Sequence, residues 1–213
     1  MLVANGPSLN RMDLAFLRHE TVIGLNKIHL GIRRFRFYPR YLVAVNLLVI
    51  EQAATDIRRL NCVKFISDRA KHLVPENALT HHIKTRELTC RFCQDITQGV
   101  HEGYTVTYAA LQIAFYMGFE QVIIIGMDHR FRYEGPPNEE RILEGPDENH
   151  FSPDYFGGGQ RWQNPDLKRS EESYRLAKDV YEADGRRIID ATVNGACTVF
   201  EKRDYQTLFG TTP

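Results

Sequence analysis

The chain has 213 residues and a 43% hydrophobic content, enough for one domain that buries a sizeable core. Lysine plus arginine and aspartate plus glutamate each count 27, so the formal net charge is zero, which excludes duplex nucleic acid and an anionic membrane as main partners. Four cysteines are too few for a disulfide scaffold, and the longest apolar run, "YLVAVNLLVI" from Tyr41, is too short to span a bilayer and is interrupted by Asn46. No integral membrane segment is therefore expected, and a cytoplasmic location is the expectation that follows.

In chain order, the short apolar runs "LVA" at the start, "TVIGL" from Thr21, "YLVAV" from Tyr41, "VKFI" from Val63, "QVIIIG" from Gln121 and "RIID" from Arg187 read as strands. Several are continuous rather than alternating, as suits strands buried on both faces. Between them lie helical patterns over Leu9–Leu17, Leu47–Leu60, Tyr104–Met117 and about Pro165–Asp184. Strand alternating with helix predicts an α/β fold: one domain over residues 1–213 with a mostly parallel sheet flanked by helices.

The Tyr104 helix has the clearest period. Val106, Ala109, Ala110, Ile113, Ala114 and Met117 recur at three and four residues, and Leu111, Phe115 and Tyr116 form a second apolar flank. That flank admits either a homo-oligomer contact or burial under a lid. Gly118 then stops the helix and Gln121 opens the next strand almost at once. In the last helix Asn164 is the expected cap and Pro165 the first helical residue, with Tyr174, Ala177 and Tyr181 inward and Glu171, Glu172, Arg175, Lys178 and Glu182 solvated.

Residues 129–164 show no helical or strand period and exceed the roughly 12 to 15 residues usual for a structureless connection. A segment this long reads as a functional lid. It carries "DENHFSPDYFGGG" and "QRW", with a histidine, aromatics and a glycine triplet. Elsewhere Cys90 and Cys93 form a lone CxxC near His81, His82 and His101; an ordinary reduced pair is the simpler reading, and no metal is assigned.

Candidate chemistry gathers at the ends of strands. In open parallel sheets ligands settle outside the carboxyl ends of the strands, and a glycine turn there lets backbone N–H groups approach an anion. "NGPS" fits that place: Asn5 offers an amide, Gly6 removes a steric obstacle and Ser8 is positioned to cap the following helix, although Asn-Gly-Pro is also an ordinary turn. Asn26 ends "VIGLN" and Asn46 ends "YLVAVN", so three successive strands end in an amide able to read base edges and sugar hydroxyls. Neither GxGxxG nor GxxxxGK[ST] is present, which argues against a nicotinamide or P-loop site. After the central strand stands "GMDH", where Asp128 suits a sugar hydroxyl, magnesium or the cap of a turn. His150 in the lid is the acid–base candidate, against the alternative of a loop histidine satisfied by hydrogen bonds.

Taken together, "VANGPSLNRMDLAFL", "IGLNKI", "VTYAALQIAFYMGFEQVIIIGMDH", "NHFSPDYF" and "IIDATVNGACTVFEKRDYQTLF" resemble a family of bacterial sialyltransferase-like proteins. That family joins Campylobacter-type alpha-2,3/2,8-sialyltransferases to methanogen-type 6-hydroxymethylpterin pyrophosphokinases. The resemblance covers nearly the whole chain and implies a single Rossmann-like domain with a nucleotide crevice. It implies that Asn5, Gly6, Ser8, Asn26 and Asn46 contact a CMP-sugar donor, that Gly126 and Asp128 lie near the ribose, and that His150 is the catalytic base. The implied reaction is an inverting transfer of a sialic-acid-like sugar to a glycan acceptor, with no metal or cofactor beyond the nucleotide-sugar substrate.

The chain departs from the family in reading Thr105-Val106-Thr107 where the sialyltransferases carry Thr-Ser-Gly, and in lacking their leaving-phosphate tyrosines. Arg130, Arg132 and Tyr133 are the expected substitutes, since each can donate to a phosphate oxygen. Two other functions stay open at this stage. One is a diphosphokinase moving pyrophosphate from ATP, with Asp128 and further acids holding Mg2+. The other is a non-catalytic nucleotide- or glycan-binding module.

Overall fold

The computed structural model describes residues 1–86 and 91–210. Cys90, half of the CxxC, lies outside the described residues. Strands occur at Leu2–Val3 (β1), Ile23–Leu25 (β2), Tyr41–Ala44 (β3), Val63–Ser67 (β4), Thr80–Ile83 (β5), Thr85–Arg86 (β6), Val100–His101 (β7), Gln121–Ile125 (β8), Glu140–Leu143 (β9), Gln160–Gln163 (β10), Arg187–Asp190 (β11) and Glu201–Lys202 (β12). The α-helices are Ile32–Phe35 (α1), Leu47–Arg59 (α2), Val106–Tyr116 (α3), Leu167–Ala183 (α4) and Tyr205–Phe209 (α5).

Eight strands form one sheet in the order β12-β11-β8-β1-β2-β3-β4-β5, and every neighbouring pair in it is parallel. The fold is thus α/β and Rossmann-like, a mostly parallel sheet flanked by helices. Burial on both faces explains the continuous apolar runs. Val3, Leu42, Ala44, Ile123 and Ile125 face one core with α2, while Leu2, Val43, Ile124 and Val122 face a second core with α3 and α4. From β1 the chain builds outward to β5 on one side, then crosses back to β8, which pairs with the other edge of β1. The β1/β8 boundary is therefore the topological switch point, where the carboxyl ends of an open sheet leave a crevice.

Several local expectations are corrected. Leu9–Leu17 is not one helix but two 3-10 segments, Pro7–Arg11 and Ala15–His19. Met12 is extended between them, and the Asp13 carboxylate takes the Ala15 N–H at 3.0 Å, supplying the backbone with a local alternative to the helix ladder. The cap of α4 is Asp166, which accepts the Arg169 N–H at 3.1 Å, rather than Asn164. Asn164 is buried and instead donates to the carbonyls of Glu134 and Pro136 at 2.7 and 3.0 Å, so Pro165 precedes the cap. Glu171 is not simply solvated: it pairs with His129 at 3.2 Å and Arg175 at 2.7 Å. In the second flank of α3, Leu111 and Phe115 are covered by α4 and not by the lid, with the Phe115 and Tyr181 rings 5.2 Å apart and the Tyr181 hydroxyl donating to the Leu111 carbonyl at 2.7 Å, while Tyr116 stays exposed.

The lid also has structure of its own. β9 and β10 pair as an antiparallel ribbon, with Trp162 opposite Arg141. Phe151, Tyr155, Phe156 and Trp162 are buried in the α2-side core. The Phe151 N–H donates to the Asn5 carbonyl at 2.9 Å and the Asn10 amide donates back to the Phe151 carbonyl at 2.9 Å, which fastens the lid to the opening turn.

Candidate functional site

At the switch point two loops meet at very short range. The Gly6 N–H donates to the Gly126 carbonyl at 2.8 Å, and a Cβ on residue 6 would sit 1.9 Å from Asp128 Oδ2 and 2.7 Å from that carbonyl. Only glycine permits this approach. Gly126 is left-handed (φ +72), and a Cβ there would press on Leu9 at 2.8 Å. Asp128 accepts the Ser8 N–H at 3.1 Å and the Ser8 hydroxyl at 2.6 Å. Ser8 therefore does not cap a following α-helix; its hydroxyl is committed to Asp128, and Asp128 secures the opening turn. Burial pushes the Asp128 carboxyl above its ordinary range, and the Ser8 hydrogen bonds oppose that shift.

A cavity of about 230 Å³ lies over this junction. Its walls include Asn5, Gly6, Asn26, Asn46, Thr105, Thr107, Gly126, Asp128 and His150, so the structure brings nine of the thirteen sequence-derived site residues to one place. Ser8 stands behind Asp128 rather than in the wall. Arg130, Arg132 and Tyr133 are not part of the wall either. Arg132 pairs with Glu148 at the exposed surface, and the Tyr133 hydroxyl donates to the Pro165 carbonyl at 3.3 Å. Phe131, between Arg130 and Arg132, does line the cavity, and Arg130 still acts electrostatically on Asp128.

The three amides divide into two kinds. Asn5 donates to the Leu25 carbonyl at 3.1 Å, and Asn26, held left-handed at φ +47, bonds the Tyr155 hydroxyl. Their Oδ1 atoms are buried with no partner. A buried acceptor without a donor costs about 1–3 kcal/mol, so these two oxygens suit a ligand that brings N–H or O–H groups. Asn46 is already satisfied: its Oδ1 caps α2 through the Val49 N–H at 3.2 Å, and its Nδ2 reaches Gln163 of the lid at 3.3 Å.

Thr105 caps α3, accepting the Thr107 N–H at 3.3 Å and sharing a hydrogen bond with the Tyr174 hydroxyl at 3.2 Å. The first turn of α3 thus presents its N-terminal end to the cavity, where backbone N–H groups and the helix dipole favour an anion. A wider trough of about 740 Å³ shares Asn46, Tyr104, Thr105, Asn138 and Gln163 with the cavity and adds Arg69 and Arg161.

His150 sits in the cavity wall with Nδ1 2.8 Å from Asp147 Oδ2. Its ring stacks flat on Tyr155, centroids 3.9 Å apart and planes 3° from parallel, and meets Phe156 edge-on at 5.3 Å. Asp147 is itself fixed by the N–H groups of Asn149 (2.8 Å) and Phe156 (3.2 Å). A carboxylate on Nδ1 sets the tautomer and leaves Nε2 as the atom for a substrate proton. The sequence reading identified His150 and missed Asp147. The available signal was an aspartate three residues before the histidine in "DENH", and nothing in that spacing separates it from a solvated loop acid. His129 also lines the cavity; burial lowers its pKa while Glu171 opposes.

Among the described residues no three histidine, cysteine, aspartate or glutamate side chains gather as metal ligands. His82, one of the histidines near the CxxC, is occupied by the Val74 carbonyl at 2.8 Å, and the Cys93 thiol donates to the Asp95 carbonyl at 3.1 Å. No helix among the described residues is long and apolar enough to cross a membrane.

No protein-family model matches the sequence, and no curated protein sequence matches it. Among solved structures, the MAf glycosyltransferase from Magnetospirillum magneticum AMB-1 is similar, with a TM-score of 0.59 and 12% identity over 97% of this chain and 34% of that one. This chain spans about a third of the length of that protein. At this identity the likeness is one of fold: the chain has the α/β architecture of a segment of a glycosyltransferase.

Proposed function

We propose that the chain is a glycosyltransferase that moves a sugar, sialic-acid-like in our reading, from a CMP-linked donor to a glycan hydroxyl, with inversion and without a metal. One observation carries the proposal: a carboxylate-oriented histidine and the strand-end residues Asn5, Asn26, Gly126 and Asp128 line one cavity at the β1/β8 switch point. The similarity in fold to a glycosyltransferase supports the general class.

In the proposed step the acceptor hydroxyl gives its proton to His150 Nε2 while its oxygen forms the new bond at the anomeric carbon. The bond from that carbon to the phosphate oxygen breaks, and its electron pair leaves with the nucleoside monophosphate. Asp147 on Nδ1 stabilises the imidazolium that forms. With Arg130, Arg132 and Tyr133 outside the cavity, the departing phosphate falls to the N-terminal amides of α3 with Thr105 and Thr107. Asn5 Oδ1 and Asn26 Oδ1 accept from the hydroxyls or amine of the donor.

Thermal unfolding with CMP, UDP, GDP, ATP and GTP, each with magnesium or with chelator, tests the reading. A nucleotide at one hundred times its dissociation constant adds about 2.7 kcal/mol of stability. CMP is expected to stabilise equally in both conditions, and His150→Ala is expected to keep that stabilisation while losing transfer. Preference for ATP with magnesium would replace this proposal with a diphosphokinase; unchanged turnover in His150→Ala would remove the histidine from the mechanism.

A further inference from the structure

Lys27 follows Asn26 at the carboxyl end of β2 and is 3% exposed. Its ammonium donates to the Tyr155 carbonyl at 2.5 Å, to Gln160 Oε1 at 2.7 Å and to Gln52 Oε1 at 2.7 Å, which uses all three N–H groups. It also lies 4.6 Å from the Phe156 ring centre and 5.4 Å from that of Tyr155. Two of the three acceptors belong to the lid, and the third to α2. Burying an ammonium is costly even when it is fully hydrogen-bonded, and a neutral side chain of similar length would fasten a loop at lower cost.

What the charge clamps is the pair Tyr155 and Phe156, and these two residues hold the imidazole in place. Tyr155 is the ring on which His150 stacks, and the Phe156 N–H is one of the donors that fix Asp147. We infer that Lys27 is a positioning residue: its buried ammonium locks residues 155 and 156 to the end of β2 and so sets the direction in which His150 presents Nε2. The inference rests on the function proposed above. The titratable groups around it are Asp147 and Tyr155 in the lid and His29 on its own segment, itself paired with Asp56 at 3.7 Å; Gln52 and Gln160 are neutral. Burial pushes the Lys27 ammonium down to about 8, with Asp147 opposing, so the clamp loses its charge in an accessible pH range.

The test uses the full chain with labelled histidine ring nitrogens and carbons. In the wild type, the His150 ring resonances are expected to show a step near pH 8, as Lys27 loses its proton. In Lys27→Met that step is expected to vanish and the resonances to move, while kcat falls on the order of 10- to 100-fold at unchanged donor KM. Should Lys27→Met fail to fold, Gln160→Leu removes one acceptor of the ammonium and is expected to move the same resonances and lower kcat by a smaller factor. A variant that melts earlier but leaves the His150 resonances and their pH dependence as in the wild type would overturn the inference and leave Lys27 a plain latch. If no nucleotide stabilises the protein, the function above fails on its own. The resonance measurement still decides whether Lys27 orients His150.

Discussion

Single residues here are chosen by what touches them at close range. Gly6 lies against Asp128 and Gly126, and the 1.9 Å approach of an added Cβ to the carboxylate leaves no room to adjust because Ser8 holds that carboxylate from the other side. Gly6→Ala is expected to destabilise the chain by about 1–3 kcal/mol or more through overpacking, measured by urea unfolding, and to weaken nucleotide binding. A stability change below about 0.5 kcal/mol would mean that the junction yields. "NGPS" suggests the glycine but not its partner, because Asp128 lies 120 residues beyond Ser8 along the chain. The division among the amides is hidden for a different reason, since all three end an apolar run. Asn46 reads like Asn5 and Asn26 in the sequence, yet it caps α2 and bonds Gln163, whereas the other two keep buried oxygens unpaired.

Among the elements, the lid is the one whose character changed most between sequence and structure. Its ribbon strands Glu140–Leu143 and Gln160–Gln163 are short and charged, with Trp162 the one buried residue among them, so no period of two is visible. The aromatics that hold it pack as one cluster although Phe151, Tyr155 and Phe156 come from irregular chain and Trp162 from β10, so no single period records them. Trp162→Ala removes an anchor whose truncation costs about 3–5 kcal/mol in a well-packed core. The expected result is faster hydrogen exchange and proteolysis within residues 139–163, with the β1 and β8 amides keeping their protection. Equal loss of protection in both regions would show that lid and sheet open as one unit. By contrast α2 and α3 were legible from the sequence to within a few residues, since each shows a long helical pattern.

For the molecule as a whole, the pH response follows from its buried imidazoles. His29, His101 and His129 all have pKa values below the ordinary 6.5, with burial the largest cause in each. As pH falls below about 6.5 the unfolded chain takes up protons that the folded chain resists, so unfolding becomes more favourable. Asp128 and Glu102, raised by burial, act in the opposite sense at lower pH, where the folded chain takes up protons first. Urea unfolding at pH 7.5 and 5.5 is expected to show lower stability at pH 5.5, with the difference reduced in His29→Gln. No difference between the two pH values would mean that the folded chain protonates these rings at no cost.

The sequence by itself determined the class of fold, the six strands with apolar runs, the two long central helices and the residues that end the strands. These are local properties: burial on both faces imposes apolar runs, and helical burial imposes a period near 3.6. Only the tertiary structure decided that β8 returns beside β1, that Asp147 orients His150, that Lys27 fastens Tyr155, and that Arg130, Arg132 and Tyr133 are not in the cavity wall. Such pairings join residues far apart in the chain or set within an irregular loop, where no periodicity records which polar group will meet which.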